Sequence, residues 1–148
     1  MRFTQRTEYA VRAMLHLARQ AGTGPTTARE IAGAQQIPVR FLEQVLQELK
    51  RAGLINSQRG AAGGAWLSRG PALITVAEVV DVVEGPVVKQ ACLDPFDDGA
   101  GVQAHSAVQE LWLDLQITIR DRLSQVTLED LVRRQDELDR SSYLVFQI

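Results

Sequence analysis

A single cysteine, Cys92, occurs in the 148 residues, so no internal disulfide can form and a reducing compartment is expected. No apolar run approaches the ~20 residues needed to span a bilayer. The opening Met1-Arg2-Phe3-Thr4-Gln5-Arg6 lacks the apolar stretch of a secretory signal, and acidic Glu8 argues against a transit peptide. A cytoplasmic location with no membrane partner is the expectation. Catalytic signatures are missing as well: no Ser/His/Asp order, no paired catalytic carboxylates, no His-Glu metal motif. The glycines from Gly60 to Gly64 are not followed by Lys-Ser/Thr, as a phosphate-binding Walker loop would require. The two histidines, His16 and His105, lie far apart, and His16 is expected at the surface. An enzyme is therefore not expected. With 45% apolar and 23% charged residues, disorder and collagen-like repeats are also excluded, leaving one compact domain or a small module with a helical appendage.

What the chain does have is charge unevenly placed. The net charge is −2 and the isoelectric point near 5.7. Residues 1–70 nevertheless carry ten Lys/Arg against four acids, a net +6, whereas residues 71–148 carry six against fourteen, a net −8. Nine of the ten cations are arginine, the better bidentate phosphate ligand, and a +6 segment attracts a polyanion. Solvated helix faces are the alternative that charge alone does not exclude.

Hydrophobic periodicity predicts three helices ahead of the first strand. Ala10, Ala13, Met14 and Leu17 share one face of a helix from about Thr7 to Arg19, which Gly22-Thr23-Gly24-Pro25 breaks. Thr27 and Glu30 form a capping box for a short helix from Ala28 to about Ala34. Pro38 suits the first turn of a third helix with the stripe Phe41, Leu42, Val45, Leu46 and Leu49, stopped at Gly53. Leu54–Ser57 and Ala65–Ser68 read as strands flanking a glycine-rich loop headed by Arg59, a hairpin with a long tip. Helix, helix, helix, strand, loop, strand is the layout of a winged helix-turn-helix.

Past Pro71, Thr75 and Glu78 cap a helix to about Glu84 whose Val76, Val79, Val80 and Val83 point inward. Residues 87–103 read as a loop. A long helix then runs from about Ala104 to Ser124 with Val108, Leu111, Trp112, Leu115, Ile119 and Leu123 on one stripe, and Thr127 and Asp130 cap a last helix. The tail Tyr143–Ile148 reads equally as a strand or a frayed end. The long helix spans ~30 Å, the diameter of such a domain, so burial against a second copy in a two-fold dimer is expected; burial within its own subunit is the alternative. Two winged helices also read two half-sites where one reads a short site poorly.

Several stretches resemble the IscR/NsrR family of bacterial winged-helix transcription regulators. Met1-Arg2-Phe3-Thr4-Gln5-Arg6-Thr7-Glu8-Tyr9-Ala10-Val11-Arg12-Ala13-Met14-Leu15 resembles its first helix, and Phe41-Leu42-Glu43-Gln44 with Leu49-Lys50-Arg51-Ala52-Gly53-Leu54-Ile55 its recognition helix and exit. Arg59 to Leu67 is similar to its glycine-rich wing, and Ile74–Val80, Ala107–Trp112 and Val126–Leu131 match later blocks, covering residues 1 to about 139 in register. The resemblance implies a mainly α fold: a winged helix-turn-helix domain of three helices and a two-stranded wing, plus a long dimerisation helix. The divisions are 1–85 for DNA binding, 86–103 as a sensor-like loop, and 104–148 for dimerisation. It implies a homodimeric, sequence-specific repressor of a pseudo-palindromic double-stranded operator, responding to a redox, iron or nitric-oxide type of signal. By position, Pro38, Val39, Arg40, Phe41, Glu43 and Gln44 would face the major groove. Arg40 there suits guanine, Glu43 cytosine N4 and Gln44 adenine. Arg59 and Gly60 would enter the minor groove, and Arg2, Thr4 and Tyr9 would meet phosphates. Phe41 reads equally as core, and Glu43 as a partner of Gln47 or Lys50. Dimerisation would fall to Val108, Leu111, Trp112, Leu115 and Ile119.

The sensor loop departs from the family pattern. Cluster-binding members hold an iron–sulfur cluster with three cysteines ahead of the long helix. Here Cys92 stands at the first position, the second falls among Asp97, Asp98, Gly99 and Ala100, and the third is Ser106. Two of the three expected thiols are absent. The remaining candidate ligands are Cys92, His105, Asp97, Asp98 and a partner's Glu8, a mixed set that would make a labile cluster. The alternatives are a lone thiol beside a solvated acidic loop, a cluster-free regulator answering a metabolite or protein partner, and a winged helix that binds only proteins. The +6 half and the loop arginine speak against the last of these.

Overall fold

The computed structural model describes residues 4–85 and 107–145. Three helices come first: α1 (Gln5–Arg19), α2 (Ala28–Gln35) and α3 (Val39–Arg51). Strands β1 (Ile55–Gln58) and β2 (Gly64–Leu67) follow, then a single 3-10 turn at Pro71–Leu73. The helices α4 (Val76–Glu84), α5 (Ala107–Ser124) and α6 (Leu128–Val145) complete the described chain. This is the mainly α winged helix-turn-helix architecture.

Each element begins where its local chemistry allows. Thr4 caps α1 by accepting from the Thr7 amide at 3.3 Å. In α2 the Thr27 hydroxyl accepts from the Glu30 amide at 3.2 Å while the Glu30 carboxylate accepts from the Thr27 amide at 2.7 Å. Two otherwise orphaned donors are thereby satisfied reciprocally. Thr75 and Glu78 repeat the arrangement at α4, and Thr127 with Asp130 does so at α6. Between α2 and α3 the chain turns tightly through Gln36, whose left-handed φ of 53° makes it the single non-glycine residue with positive φ among the described residues. Pro38 follows as the N-cap of α3.

The core gathers Ala10, Ala13, Met14 and Leu17 of α1, Ile31 of α2, and Leu42, Val45 and Leu49 of α3. Removing the Met, Leu, Ile and Val side chains among these from water stabilises the fold by roughly 1.5–3 kcal/mol each. Leu128 of α6 is fully buried in this same core, and Leu131 and Val132 pack against it. A two-residue antiparallel bridge, Thr75 to Thr127, ties the entrance of α4 to that of α6. Arg19 reinforces the contact with ion pairs to Asp136 at 3.2 Å and Asp139 at 3.0 Å.

α5 differs from every other described α-helix in having no buried residue. It lies against α4, joined by the Arg120–Asp81 ion pair at 3.0 Å. Val108, Leu111, Trp112 and Leu115 are 41–57% exposed, and Ile119 and Leu123 are half-buried. The alternative of a long helix wholly buried in its own subunit is not what the structure shows. His16, expected at the surface, is half-buried, and desolvation followed by the nearby Arg19 lowers its pKa, with Glu30 opposing. The tail residues 143–145 continue α6 rather than forming a strand, while 146–148 lie outside the described residues.

Candidate nucleic-acid interface

The buried face of α3 is set by Leu42, Val45 and Leu49, which leaves Arg40, Glu43, Gln44, Gln47 and Arg51 exposed at three- and four-residue spacing on the opposite side. Val39 is 38% exposed beside them. Glu43 makes no ion pair with Lys50, no hydrogen bond with Gln47 and no other such contact among the described residues. Phe41 is half-buried against the core and meets Tyr9 of α1 edge-on, with ring centroids 5.4 Å apart at 82°. That contact seats α3 on α1. The Tyr9 hydroxyl accepts from Gln5 Nε2 at 2.8 Å.

The wing is a regular hairpin pairing Ile55 with Leu67, Asn56 with Trp66, Ser57 with Ala65 and Gln58 with Gly64. Its loop carries Arg59 and Gly60, both exposed. Two glycines are obligatory here. A Cβ on Gly63 would collide with the carbonyl oxygen of Gln58, and Gly64, at φ +152°, lies against the Thr26 backbone, where a Cβ would meet carbonyl carbon and oxygen at 2.6 Å. Thr26 itself forms a short antiparallel bridge with Ala65, through bonds of 2.9 and 2.8 Å, and fixes the hairpin to the segment before α2. Ser68 closes the other side by donating to the Gly53 carbonyl at 2.6 Å.

The cations sort into two groups. Arg6 pairs with Glu48, Arg12 donates to the Gln35 carbonyl, Arg19 pairs with Asp136 and Asp139, and Arg69 pairs with Glu78. Arg29, Arg40, Lys50, Arg51 and Arg59 are exposed and make no ion pair or side-chain hydrogen bond among the described residues. These five sit on α2, α3 and the wing loop. Arg29, Gln47 and Arg51 were not among the residues singled out for DNA contact from sequence; the signal for the latter two was their spacing from Arg40 on the α3 stripe. The Thr4 hydroxyl is committed within the protein, donating to Glu84 at 2.6 Å. Arg2 lies outside the described residues.

The proposed metal ligands are not brought together by anything visible. Glu8 is exposed on α1; Cys92, Asp97, Asp98, His105 and Ser106 lie outside the described residues. Among the described residues no group of three His, Cys, Asp or Glu side chains is placed to hold a metal. The donor set of the whole chain contains one thiol, which does not fit a cluster held by three cysteines.

A recognition helix with an exposed polar stripe, an anchored wing with an arginine in its loop, and free cations on both define a winged helix-turn-helix DNA-binding transcription regulator. The Rrf2 family, described as iron-dependent transcriptional regulators, matches residues 3–134, and the chain belongs to it. It is 41% identical over 139 residues to the HTH-type transcriptional regulator ORF2 of Azotobacter vinelandii, covering 94% of this chain and 84% of that protein. It is 32% identical over 136 residues to the HTH-type transcriptional regulator CymR of Bacillus subtilis, covering 92% and 93%. Among solved structures, T. potens IscR superposes with a TM-score of 0.77 at 30% identity, over 93% of this chain and 90% of that one. These relatives are regulators of transcription, and this chain is not an enzyme. No described helix is long and apolar enough to cross a membrane.

Proposed function

We propose that the chain is a homodimeric, sequence-specific repressor that reads a pseudo-palindromic duplex in the cytoplasm. The observation that supports this reading is the sorting of the cations of residues 4–70: four are consumed by internal partners, while five on α2, α3 and the wing make no ion pair or side-chain hydrogen bond among the described residues. In this reading Pro38, Val39, Arg40, Glu43 and Gln44 face the major groove, with Phe41 serving as the hinge between base-reading face and core. Arg59 and Gly60 follow the minor groove, and Arg2, Thr4 and Tyr9 lie nearest the phosphates. Residues 1–85 read DNA, and 104–148 dimerise through Val108, Leu111, Trp112, Leu115 and Ile119. The exposed apolar stripe of α5 supports a second copy as its cover, since large exposed apolar patches mark interaction surfaces.

For the signal, the family's description as iron-dependent supports a redox, iron or nitric-oxide type of input through 86–103. The single thiol of the chain favours a second reading, a cluster-free regulator answering a metabolite or a protein partner. An absorption spectrum of protein purified without oxygen decides between them: visible thiolate-to-iron bands support the first, and their absence the second. Selection from random duplexes, followed by a promoter fusion carrying the selected site, tests the main reading. Enrichment of a two-fold symmetric sequence and lower expression with the protein present are expected. No enriched duplex, or higher expression, would overturn it.

A further inference from the structure

The end of α4 reaches the start of α1 through one carboxylate oxygen. Glu84 Oε1 accepts from the Thr4 amide at 3.3 Å, from the Thr4 hydroxyl at 2.6 Å and from the Thr7 hydroxyl. Thr7 is buried, and Thr4 is the N-cap of α1, so Glu84 holds the first turn of that helix from outside it. Between those threonines, Arg6 leaves the same turn and pairs with Glu48 on the third turn of α3. Carboxylates from α3 and α4 thus converge on one turn of α1. The recognition helix is then seated on α1 at two points: Phe41 against Tyr9 near its N-terminus, and Glu48 against Arg6 toward its C-terminus.

We propose that Glu84 is a positioning residue for DNA recognition, setting the placement of α3 through Thr4, Thr7 and the Arg6–Glu48 pair. This rests on the reading of α3 as the recognition helix. Base readout tolerates displacements of only about 0.5 Å. Releasing three donors from Glu84 frees the first turn of α1, and Arg6 loses its fixed origin. α3 then loses the seat toward its C-terminus and keeps the one at Phe41. Electrostatics acts in the opposite direction. Removing an anionic side chain from a DNA-binding protein strengthens its attraction for any duplex. Positioning therefore predicts a lower ratio of specific to non-specific affinity, while a mere charge effect predicts an equal gain on both.

The test measures dissociation constants of the full chain for a duplex selected from random sequence and for a scrambled duplex of the same composition. Wild type, Glu84→Gln and Glu84→Ala are compared, each also in a Glu48→Ala background, with thermal melts alongside. Glu84→Ala should lower the affinity ratio roughly ten-fold, the size of a coupled contact of ~1.4 kcal/mol. Glu84→Gln keeps one acceptor oxygen for the threonine hydroxyls and should fall between. In the Glu48→Ala background the Glu84 effect should shrink, because the route to α3 is already cut. If Glu84→Ala does not fold at the assay temperature, a reduced ratio for Glu84→Gln supports the assignment. An unchanged ratio in the folded variants, with wild type still discriminating, overturns the role of Glu84 alone. A wild type that prefers no duplex overturns the DNA-reading proposal itself.

Discussion

Glu43 and Arg59 present opposite charges to the same polyanion, so replacing each one probes a different part of recognition. Glu43 has no partner among the described residues, and its negative charge is tolerable beside DNA only where it accepts from a cytosine amino group. Glu43→Ala should leave affinity for arbitrary DNA equal or higher while relaxing discrimination at one base pair per half-site, worth ~1–3 kcal/mol. Arg59 on the wing loop gains from minor-groove potential instead. Arg59→Ala should weaken binding to all duplexes and reduce the salt slope by about one unit per subunit. Competition titrations with single-base variants of a selected site check both. Uniform weakening by Glu43→Ala would show that this side chain does not face the bases.

At the scale of elements, the caps make a joint prediction about acid. The backbone amide and hydroxyl of Thr27 hold the Glu30 carboxyl below its ordinary pKa, and Thr127 does the same for Asp130. Thr4 and Thr7 lower Glu84. In Glu78, desolvation pushes upward, but the Thr75 amide and Arg69 outweigh it, and the net shift is downward. A carboxyl with a lowered folded pKa contributes stability that is present above its unfolded value and lost as pH falls through the folded one. Thermal midpoints should fall slightly between about pH 7 and 5, because the lowered His16 pKa makes the unfolded chain bind its proton first, and drop more steeply below about pH 4. A midpoint that rises on acidification would contradict this. Thr75→Ala removes one reciprocal cap and should cost about 1 kcal/mol in denaturant melts.

These caps, together with apolar stripes at helical spacing, are why the helices and the hairpin were legible in the sequence. Thr27, Thr75 and Thr127 each announce a helix start by a residue three places on. The same local signals are silent about pairings across the chain. The Thr26–Ala65 bridge anchors the wing, and Thr26 reads in sequence as one more residue of a loop. Arg6 and Glu48 are separated by 42 positions, and Thr4 and Glu84 by 80. The family resemblance assigned Thr4 to phosphate contact, and nothing local in the sequence marked it as the cap that Glu84 grips. Composition identified an arginine-rich half; only the fold distinguishes Arg6, Arg12, Arg19 and Arg69, which hold the protein together, from Arg40 and Arg59, which make no ion pair or side-chain hydrogen bond among the described residues.

For the whole molecule, the account depends on α5 meeting a second copy. Trp112 is 57% exposed in the single chain, on a helix that buries no residue of its own. Trp112→Ala should leave the fold of one subunit intact and shift light-scattering mass toward a monomer, because the loss falls on the interface rather than the core. A wild-type monomer at micromolar concentration would count against this arrangement. The central claim, that the free cations of α2, α3 and the wing read duplex DNA, is tested most directly by binding isotherms on a selected duplex at several salt concentrations. Each neutralised phosphate contributes about −0.9 to the slope of log K against log salt. Two subunits with five such cations each predict a slope approaching roughly −9 when all ten meet phosphates, with two chains per duplex. A slope near zero, or equal affinity for scrambled DNA, would contradict the account.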